Sequence, residues 1–310
     1  MIHIATVHWP NARWVDIQLR YLERHIEETY RVYAWIDGWS AAERREHADR
    51  FFYASDVPIK HHEFKLNLLA DLISHAAQPD DIVIFLDGDS FPIAPVAGFL
   101  REKLRDYPLV AVRRDENNGD PQPHPSFCVT TPRFWRELPG DWRPGRTWTN
   151  PQGKEVTDVG GNLLGLLADG GVEWYPMLRS NKVNPHPLKF GVYEDLVYHQ
   201  AGGLTVSAGG RLWRAAKQDQ LNKSLRGRIA ARLPRKGRLG RLRRAINPVR
   251  RYQEALAAEL GRIDAQVMDL IARDPDFYRQ LIEPERGGEL GELKAPVLLE
   301  DVKDLATRSA

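Results

Sequence analysis

An unbroken apolar run, Ile82 to Leu86, is closed by Asp87-Gly88-Asp89 and then by Ser90-Phe91-Pro92. A run of this length between turn signals predicts a strand buried on both faces, central in a parallel sheet. The stretches before it switch between two periodicities. Ile2 to Trp9 and Tyr30 to Ile36 predict strands, and the second leaves through Asp37 and Gly38. Trp14, Ile17, Leu22 and Ile26 recur at helical spacing. So do Phe64, Leu68, Leu69, Leu72, Ile73 and Ala76, within His61 to Ala77. A polar helical stretch, Ser40 to Asp49, leads to a short strand at Phe51, Phe52 and Tyr53. Strands alternating with helices imply parallel pairing through crossover helices, hence an α/β sandwich.

Beyond the acid triplet, Pro95 to Arg105 reads as a helix and Pro108 to Val112 as a buried strand. Asp115 to Pro125 is rich in Asp, Asn, Gly and Pro and reads as a loop, with Phe127 to Thr131 a short strand after it. Leu138 to Lys154 is a long Pro- and Gly-dense loop, of the kind that is more often functional than not. Its Trp142 and Trp148 either stack on a bound ring or pin the loop to the body. Gly160 to Ala168 predicts a helix with Asp158 near its N-terminus. Val172 to Tyr175 and Phe190 to Tyr198 predict strands, the latter carrying Glu194 and Asp195 and ending in His199-Gln-Ala-Gly-Gly. Leu256, Leu260, Ile263, Val267 and Ile271 mark an amphipathic helix from Glu254 to Arg273, suited to a core or a homodimer contact.

Charge divides the chain. The formal net charge is +2, yet Arg211 to Arg251 holds fifteen Lys or Arg against one acid, Asp219, which leaves the remainder near −12. Residues 1–210 therefore read as an acidic body and 211–310 as a basic, mainly helical C-terminal extension. Within the basic segment, Arg226, Arg228, Arg232, Arg238, Arg241 and Arg244 are interleaved with Leu225, Ile229, Leu233, Leu239, Leu242 and Ile246. That is the pattern of a segment lying on anionic lipid or gripping a polyanion. From Leu225 to Ile246 no aromatic residue is interleaved to stack bases, so nucleic acid is not expected. The single cysteine, Cys128, excludes an internal disulfide and a thiolate zinc site. The first residues, MIHIATVHWPNARW, do not read as a secretory signal, and a cytoplasmic location, peripheral at the inner membrane face, is the expectation.

The candidate chemistry starts at the acid triplet. A buried strand delivers Asp87 and Asp89 to the carboxyl edge of the sheet, where open α/β folds bind ligands. Two carboxylates one residue apart repel each other, and a hard divalent cation relieves that repulsion. VHWPNARW holds no G-x-G-x-x-G and no P-loop lysine, which disfavours dinucleotide and P-loop sites.

The strand and its triplet resemble the D-x-D motif of GT-A glycosyltransferases. That resemblance implies a GT-A-like, mostly parallel sheet flanked by helices, with a nucleotide-diphospho-sugar donor. It also implies Mn2+ or Mg2+ held by Asp87 and Asp89 and bridging the donor's two phosphates. His199 before its glycines is similar to the histidine that completes the metal shell in glycogenin-like members, although the downstream Lys-Pro-Trp of those enzymes is absent. Imidazole suits Mn2+ better than Mg2+. The resemblance places base and ribose at the exits of the first two strands, near Thr6, His8 and Asp37. Asp158 is similar to the acid that faces donor sugar and acceptor, and Glu194 and Asp195 compete for the base role. Lys65 either reaches a donor phosphate or lies on a solvated helix face. The acceptor implied is a glycan, including a cell-envelope or lipid-linked one.

Two other readings fit parts of the chain. Asp87-Gly88-Asp89-Ser90-Phe91 resembles the D-x-D-x-T/V motif of haloacid-dehalogenase phosphatases, with Asp87 as nucleophile; Phe91 breaks that pattern. A non-catalytic membrane- or polyanion-binding protein would act through residues 211–251.

Overall fold

The computed structural model describes residues 1–117, 119–150, 153–186, 188–201, 220–234, 236–286 and 288–292. The chain begins with β1 (Ile2–Val7), α1 (Val15–His25), β2 (Tyr30–Trp35), α2 (Ala41–His47), β3 (Tyr53–Ser55), α3 (His62–Ala76) and β4 (Ile82–Asp87). It continues with β5 (Ser90–Pro92), α4 (Ala97–Asp106), β6 (Val110–Arg113), β7 (Pro123–Thr130), α5 (Pro132–Glu137), β8 (Trp148–Thr149), β9 (Glu155–Val156) and α6 (Gly161–Asp169). Then come β10 (Tyr175–Met177), β11 (Gly191–Tyr193), β12 (Val197–His199), α7 (Leu225–Arg232), α8 (Gly237–Ile246), α9 (Pro248–Arg273) and α10 (Arg279–Ile282).

A seven-stranded sheet in the order β10-β6-β7-β4-β1-β2-β3 forms the centre, with β4 in its middle. β4, β1, β2 and β3 pair in parallel, whereas β7 runs antiparallel to both β4 and β6. The fold is thus an α/β sandwich on a mixed, mostly parallel sheet, followed by a helical C-terminal part. The apolar run explains itself in this position. Ile82, Ile84 and Leu86 pack on one face with α1 and α4, and Val83 and Phe85 on the other with α3, α5 and α6. A strand covered on both faces has no polar side, so no alternation appears in its sequence. α2 starts with a reciprocal capping box, Ser40 with Glu43, which satisfies two otherwise orphaned backbone donors.

Four local expectations change. The Pro-rich stretch read as a loop contains the first half of β7, whose register against β6 shifts at Ala111/Val112. Its prolines sit at the strand's start and beside that bulge, where a missing N–H is tolerated. Phe190 to Tyr198 is a hairpin, not one strand: Glu194 and Asp195 both have positive φ, 53° and 54°, and turn the chain between β11 and β12. Such a pair of left-handed residues is the signature of a tight two-strand turn. Trp142 is fully buried against Phe85 and Trp135, so it pins its loop and is not available to a sugar. Trp148 lies half-buried in β8.

The fourth change concerns α9. Leu256, Leu260, Ile263, Val267 and Ile271 are buried against Trp14, Ile17 and Tyr21 of α1, Phe91 of β5 and Tyr198 of β12. This stripe is already covered within the chain, so it does not offer a homodimer face. The change of composition near residue 210 falls outside the described residues, and the core continues on its far side. Ile263 is fully buried. Ile263→Ala should lower unfolding stability by about 2–5 kcal/mol, as large-to-small core changes do. Urea denaturation checks this; an unchanged midpoint would mean that α9 is a detached appendage.

Candidate metal centre

β4 carries Asp87 to the carboxyl edge of the sheet, and the chain turns through Gly88 and Asp89 into β5. Gly88 is dictated by space: a Cβ there would lie 2.6 Å from the Val7 carbonyl oxygen and 2.9 Å from His8 Nδ1. The turn therefore hugs the end of β1. β5 pairs antiparallel with β12, setting Ser90 opposite His199. Ser90 Oγ donates to the Tyr198 carbonyl at 3.0 Å, and Gln200 N donates to the Asp89 carbonyl at 3.0 Å. A histidine more than a hundred residues away is thereby fixed beside the two acids.

The three side chains converge. One ligand atom from each of Asp87, Asp89 and His199 lies within 4.8 Å of the other two. His199 Nε2 is 3.7 Å from Asp87 Oδ2 and 3.5 Å from Asp89 Oδ1. These separations are long for hydrogen bonds yet bring two carboxylates and one imidazole around a common point. Asp87 Oδ1 is buried against the imidazole of His62, and His199 Nδ1 is buried without a hydrogen-bond partner. The donor set, two carboxylates and an imidazole, fits a divalent cation such as Mn2+.

Two further histidines border this point. His62, at the start of α3, places Nε2 3.0 Å from Asp87 Oδ1, which leaves Oδ2 turned to His199. His124 of β7 faces His199 with ring centroids 5.6 Å apart. Its Nδ1 accepts from Ser126 N at 3.0 Å, and burial, with Arg114 and the neighbouring histidines, keeps it neutral, its pKa well below the ordinary value.

Gln18 ties the acid turn to β1. It is fully buried on α1. Its Nε2 donates to the carbonyls of Asp87 and Ser90, both at 2.8 Å. Its Oε1 accepts from Thr6 Oγ1 at 3.1 Å and lies 3.0 Å from His8 Nε2. His8 is pushed down to about 4 by burial and so is neutral at pH 7, able to donate to Gln18 from Nε2. Thr6 and His8 thus sit beside the acid turn, engaged with Gln18. The sequence reading missed Gln18, since a glutamine in an amphipathic helix carries no outward sign that it faces the sheet edge.

The other candidates distribute as follows. Lys65 is buried, not on a solvated face, and makes an ion pair with buried Asp37 at the exit of β2. Its ammonium also lies 5.4 Å from the Trp9 ring centroid. Asp158 is exposed at the turn before α6, where its Oδ1 accepts from Val159 N at 2.9 Å. It is in electrostatic reach of Arg114 and Asp120, on the flank of the site that His124 occupies. Glu194 and Asp195 form the turn at the end of β12 opposite to His199. Glu194 bonds there to Leu178 N and Tyr175, so the hairpin holds these acids away from Asp87 and Asp89.

Asp120 also escaped the sequence reading, lying in what reads as a polar loop. It is fully buried and accepts from Gln122 N at 3.1 Å. Burial, with Asp158 nearby, pushes its carboxyl up to about 7.

Two predictions follow from this geometry. Gln18→Met removes donors from two buried carbonyls and should destabilise the chain by about 2–4 kcal/mol, read by urea denaturation. A smaller loss than about 1 kcal/mol would show that water replaces the amide. Between pH ~4 and about 7, folded Asp120 keeps a proton that the unfolded chain has released, so its contribution to stability falls as pH rises. Asp120→Asn removes this titration. The variant should therefore gain on the wild type across that window, by on the order of a few kcal/mol above pH ~7. His8 titrates in a similar range with the opposite sign, and cancels in the comparison of the two proteins.

No protein-family model matches the chain, and no curated protein matches it. Among solved structures the chain is similar to the mannosyltransferase PcManGT from Pyrobaculum calidifontis in complex with GDP-Man and Mn2+, at 12% identity and TM-score 0.43, covering 99% of this chain and 87% of that one. It is similar to S. aureus TarS 1–349 at 13% identity and TM-score 0.39, covering 93% of this chain and 92% of that one. It is similar to the galactosyltransferase LgtC with donor and acceptor sugar analogues at 15% identity and TM-score 0.35, covering 56% of this chain and 72% of that one.

Proposed function

We propose that the chain is a metal-dependent glycosyltransferase that moves a sugar from a nucleoside-diphosphate donor to a hydroxyl acceptor. The observation that carries this reading is the convergence of Asp87, Asp89 and His199 at the carboxyl edge of the central strand. A sheet edge of this kind is where open α/β folds take nucleotides.

In this reading Asp87, Asp89 and His199 would hold the cation, and His62 would steady Asp87 through its contact with Oδ1. A bound divalent cation offsets the charge of the leaving nucleoside diphosphate. The bond between the anomeric carbon and the phosphate oxygen breaks, and a bond from that carbon to the acceptor oxygen forms. The acceptor proton leaves to a carboxylate. We assign that role, or the orienting of the donor sugar, to Asp158, a reading supported by its exposure and its electrostatic reach to Arg114. Thr6 and His8, buried and engaged with Gln18, would support the acid turn beside the nucleotide. Lys65 acts through Asp37 rather than as a free phosphate contact, since Asp37 already neutralises its charge in a buried pair. Removing one partner of such a pair strands the other charge, so both residues have a structural role regardless of the donor.

The test is a thermal-shift screen of UDP-, GDP- and dTDP-sugars with and without Mn2+, because a ligand that binds the folded state raises its melting temperature. One nucleotide class should stabilise the wild type only when Mn2+ is present. Asp89→Ala and His199→Ala should lose this shift and the transfer activity while remaining folded. Wild-type nucleotide affinity of Asp89→Ala in Mn2+ would sink the metal assignment. Turnover of phosphomonoesters without any nucleotide, lost in Asp87→Asn, would favour the phosphatase reading instead.

A further inference from the structure

The two helices that precede α9 invert the usual order of burial. α7 packs against α8, and both touch α9. The residues buried there are small: Gly227 and Ala230 in α7, and Gly240 in α8. A Cβ on Gly227 would lie 2.2 Å from the Leu221 carbonyl oxygen, so this position has no room for a side chain. The large aliphatic residues point outward instead. Leu225 is 74% exposed, Ile229 45%, Leu239 51% and Leu242 48%. A single exposed leucine is ordinary, whereas four on two packed helices with glycines beneath them form a patch that calls for a cover.

Charge narrows what that cover is. Residues 220–251 contain twelve Lys or Arg and no Asp or Glu. Arg226, Arg228 and Arg232 of α7 and Arg238, Arg241 and Arg244 of α8 are exposed around the aliphatic residues. Leu225 and Ile229 lie four residues apart on one face of α7, flanked by Arg228 and Arg232. Leu239 and Leu242 lie three apart on one face of α8, flanked by Arg238 and Arg243. A second copy of this surface would meet like charge, which opposes self-association. Nucleic acid would satisfy the arginines but leave the aliphatic residues uncovered, and residues 220–251 hold no aromatic ring to stack on a base. Anionic phospholipid satisfies both: headgroup phosphates take the arginines and the acyl boundary takes the aliphatic side chains. Among the described residues no helix is long and apolar enough to cross a membrane, so contact of this kind is with the surface.

We infer that α7 and α8 form a docking surface for an anionic phospholipid membrane, with Leu225, Ile229, Leu239 and Leu242 entering the headgroup boundary between arginines. This surface is separate from the Asp–Asp–His centre and does not depend on the chemistry proposed there. It would bring the chain to acceptors carried on a membrane.

The full chain is tested by co-sedimentation with vesicles of phosphatidylcholine alone and of phosphatidylcholine mixed with phosphatidylglycerol. Binding is expected only to the mixed vesicles and should weaken as salt is raised, because exposed charges are screened. Leu239→Ser combined with Leu242→Ser should weaken binding by at least about tenfold at low salt with an unchanged melting temperature, since those side chains are outside the core. Asp89→Ala should bind vesicles like the wild type, which separates failure of this inference from failure of the metal assignment. Equal binding to both vesicle types, or full binding by the Leu239/Leu242 variant, would overturn it. So would tighter binding to single-stranded RNA or heparin than to the mixed vesicles.

Discussion

The antiparallel pairing of Ser90 with His199 is the constraint on which the candidate site depends. Asp87 and Asp89 are brought to the sheet edge by β4 alone, but β4 has no means of supplying a third ligand. β5 supplies it by continuing out of the acid turn and pairing with β12. That small three-stranded sheet is anchored in turn by the C-terminal half of the chain. Phe91 and Tyr198 pack with Ile263, Val267 and Phe277. Lys189 Nζ lies 2.7 Å from Asp264 Oδ1, and Gln200 Nε2 donates to the same oxygen at 3.1 Å. α9 thus reaches the residue next to His199 through one buried carboxylate.

Buried polar groups carry much of the local architecture around this edge, and their energetics decide how they are to be regarded. A buried ion pair adds little over an apolar pair of the same size, yet losing one partner costs about 3–5 kcal/mol. Lys65–Asp37 and Lys189–Asp264 are therefore better seen as devices that fix one arrangement than as sources of stability. Gln18 works similarly with neutral groups. Its amide can satisfy two carbonyls only if α1, β1 and the acid turn hold one mutual position. The neutrality of His8 and His124 belongs to the same economy: burial without a carboxylate in hydrogen-bonding contact disfavours the imidazolium. The cluster around Asp87 and Asp89 thus concentrates acid charge without importing a buried cation of its own from either residue.

The C-terminal part serves two physical ends. α9 turns its aliphatic stripe inward and completes the core beside α1. α7 and α8 turn theirs outward, above buried glycines. The contrast has a simple cause. A helix of 26 residues presents enough aliphatic positions on one face to bury a continuous stripe. Helices of 8 and 10 residues rich in arginine cannot bury one face without drawing charge in with it.

Much of the fold was legible because it follows from local periodicity. The strand Ile82–Asp87, the helix His62–Ala76 and the α9 stripe are each specified by the spacing of their own apolar residues. The acid pair at a strand end, and hence the case for a cation, is likewise a local feature. What the sequence did not disclose are relations between distant residues. Pairing of β5 with β12 rests on only three residues each, too short for a period to show. The turn at Glu194 and Asp195 uses left-handed backbone at two residues other than glycine, so no glycine or proline announced it, and a hairpin read as one strand. Lys65 looked solvated because a lysine in a helix usually is; only the position of Asp37 makes its burial tolerable. Gln18 and Asp120 took their importance from what surrounds them, which no property of glutamine or aspartate encodes. Periodicity and residue type fixed the elements and the acids. Which side chains meet at those acids was decided by tertiary contacts, because burial and hydrogen bonding are set by the partners a residue acquires in space.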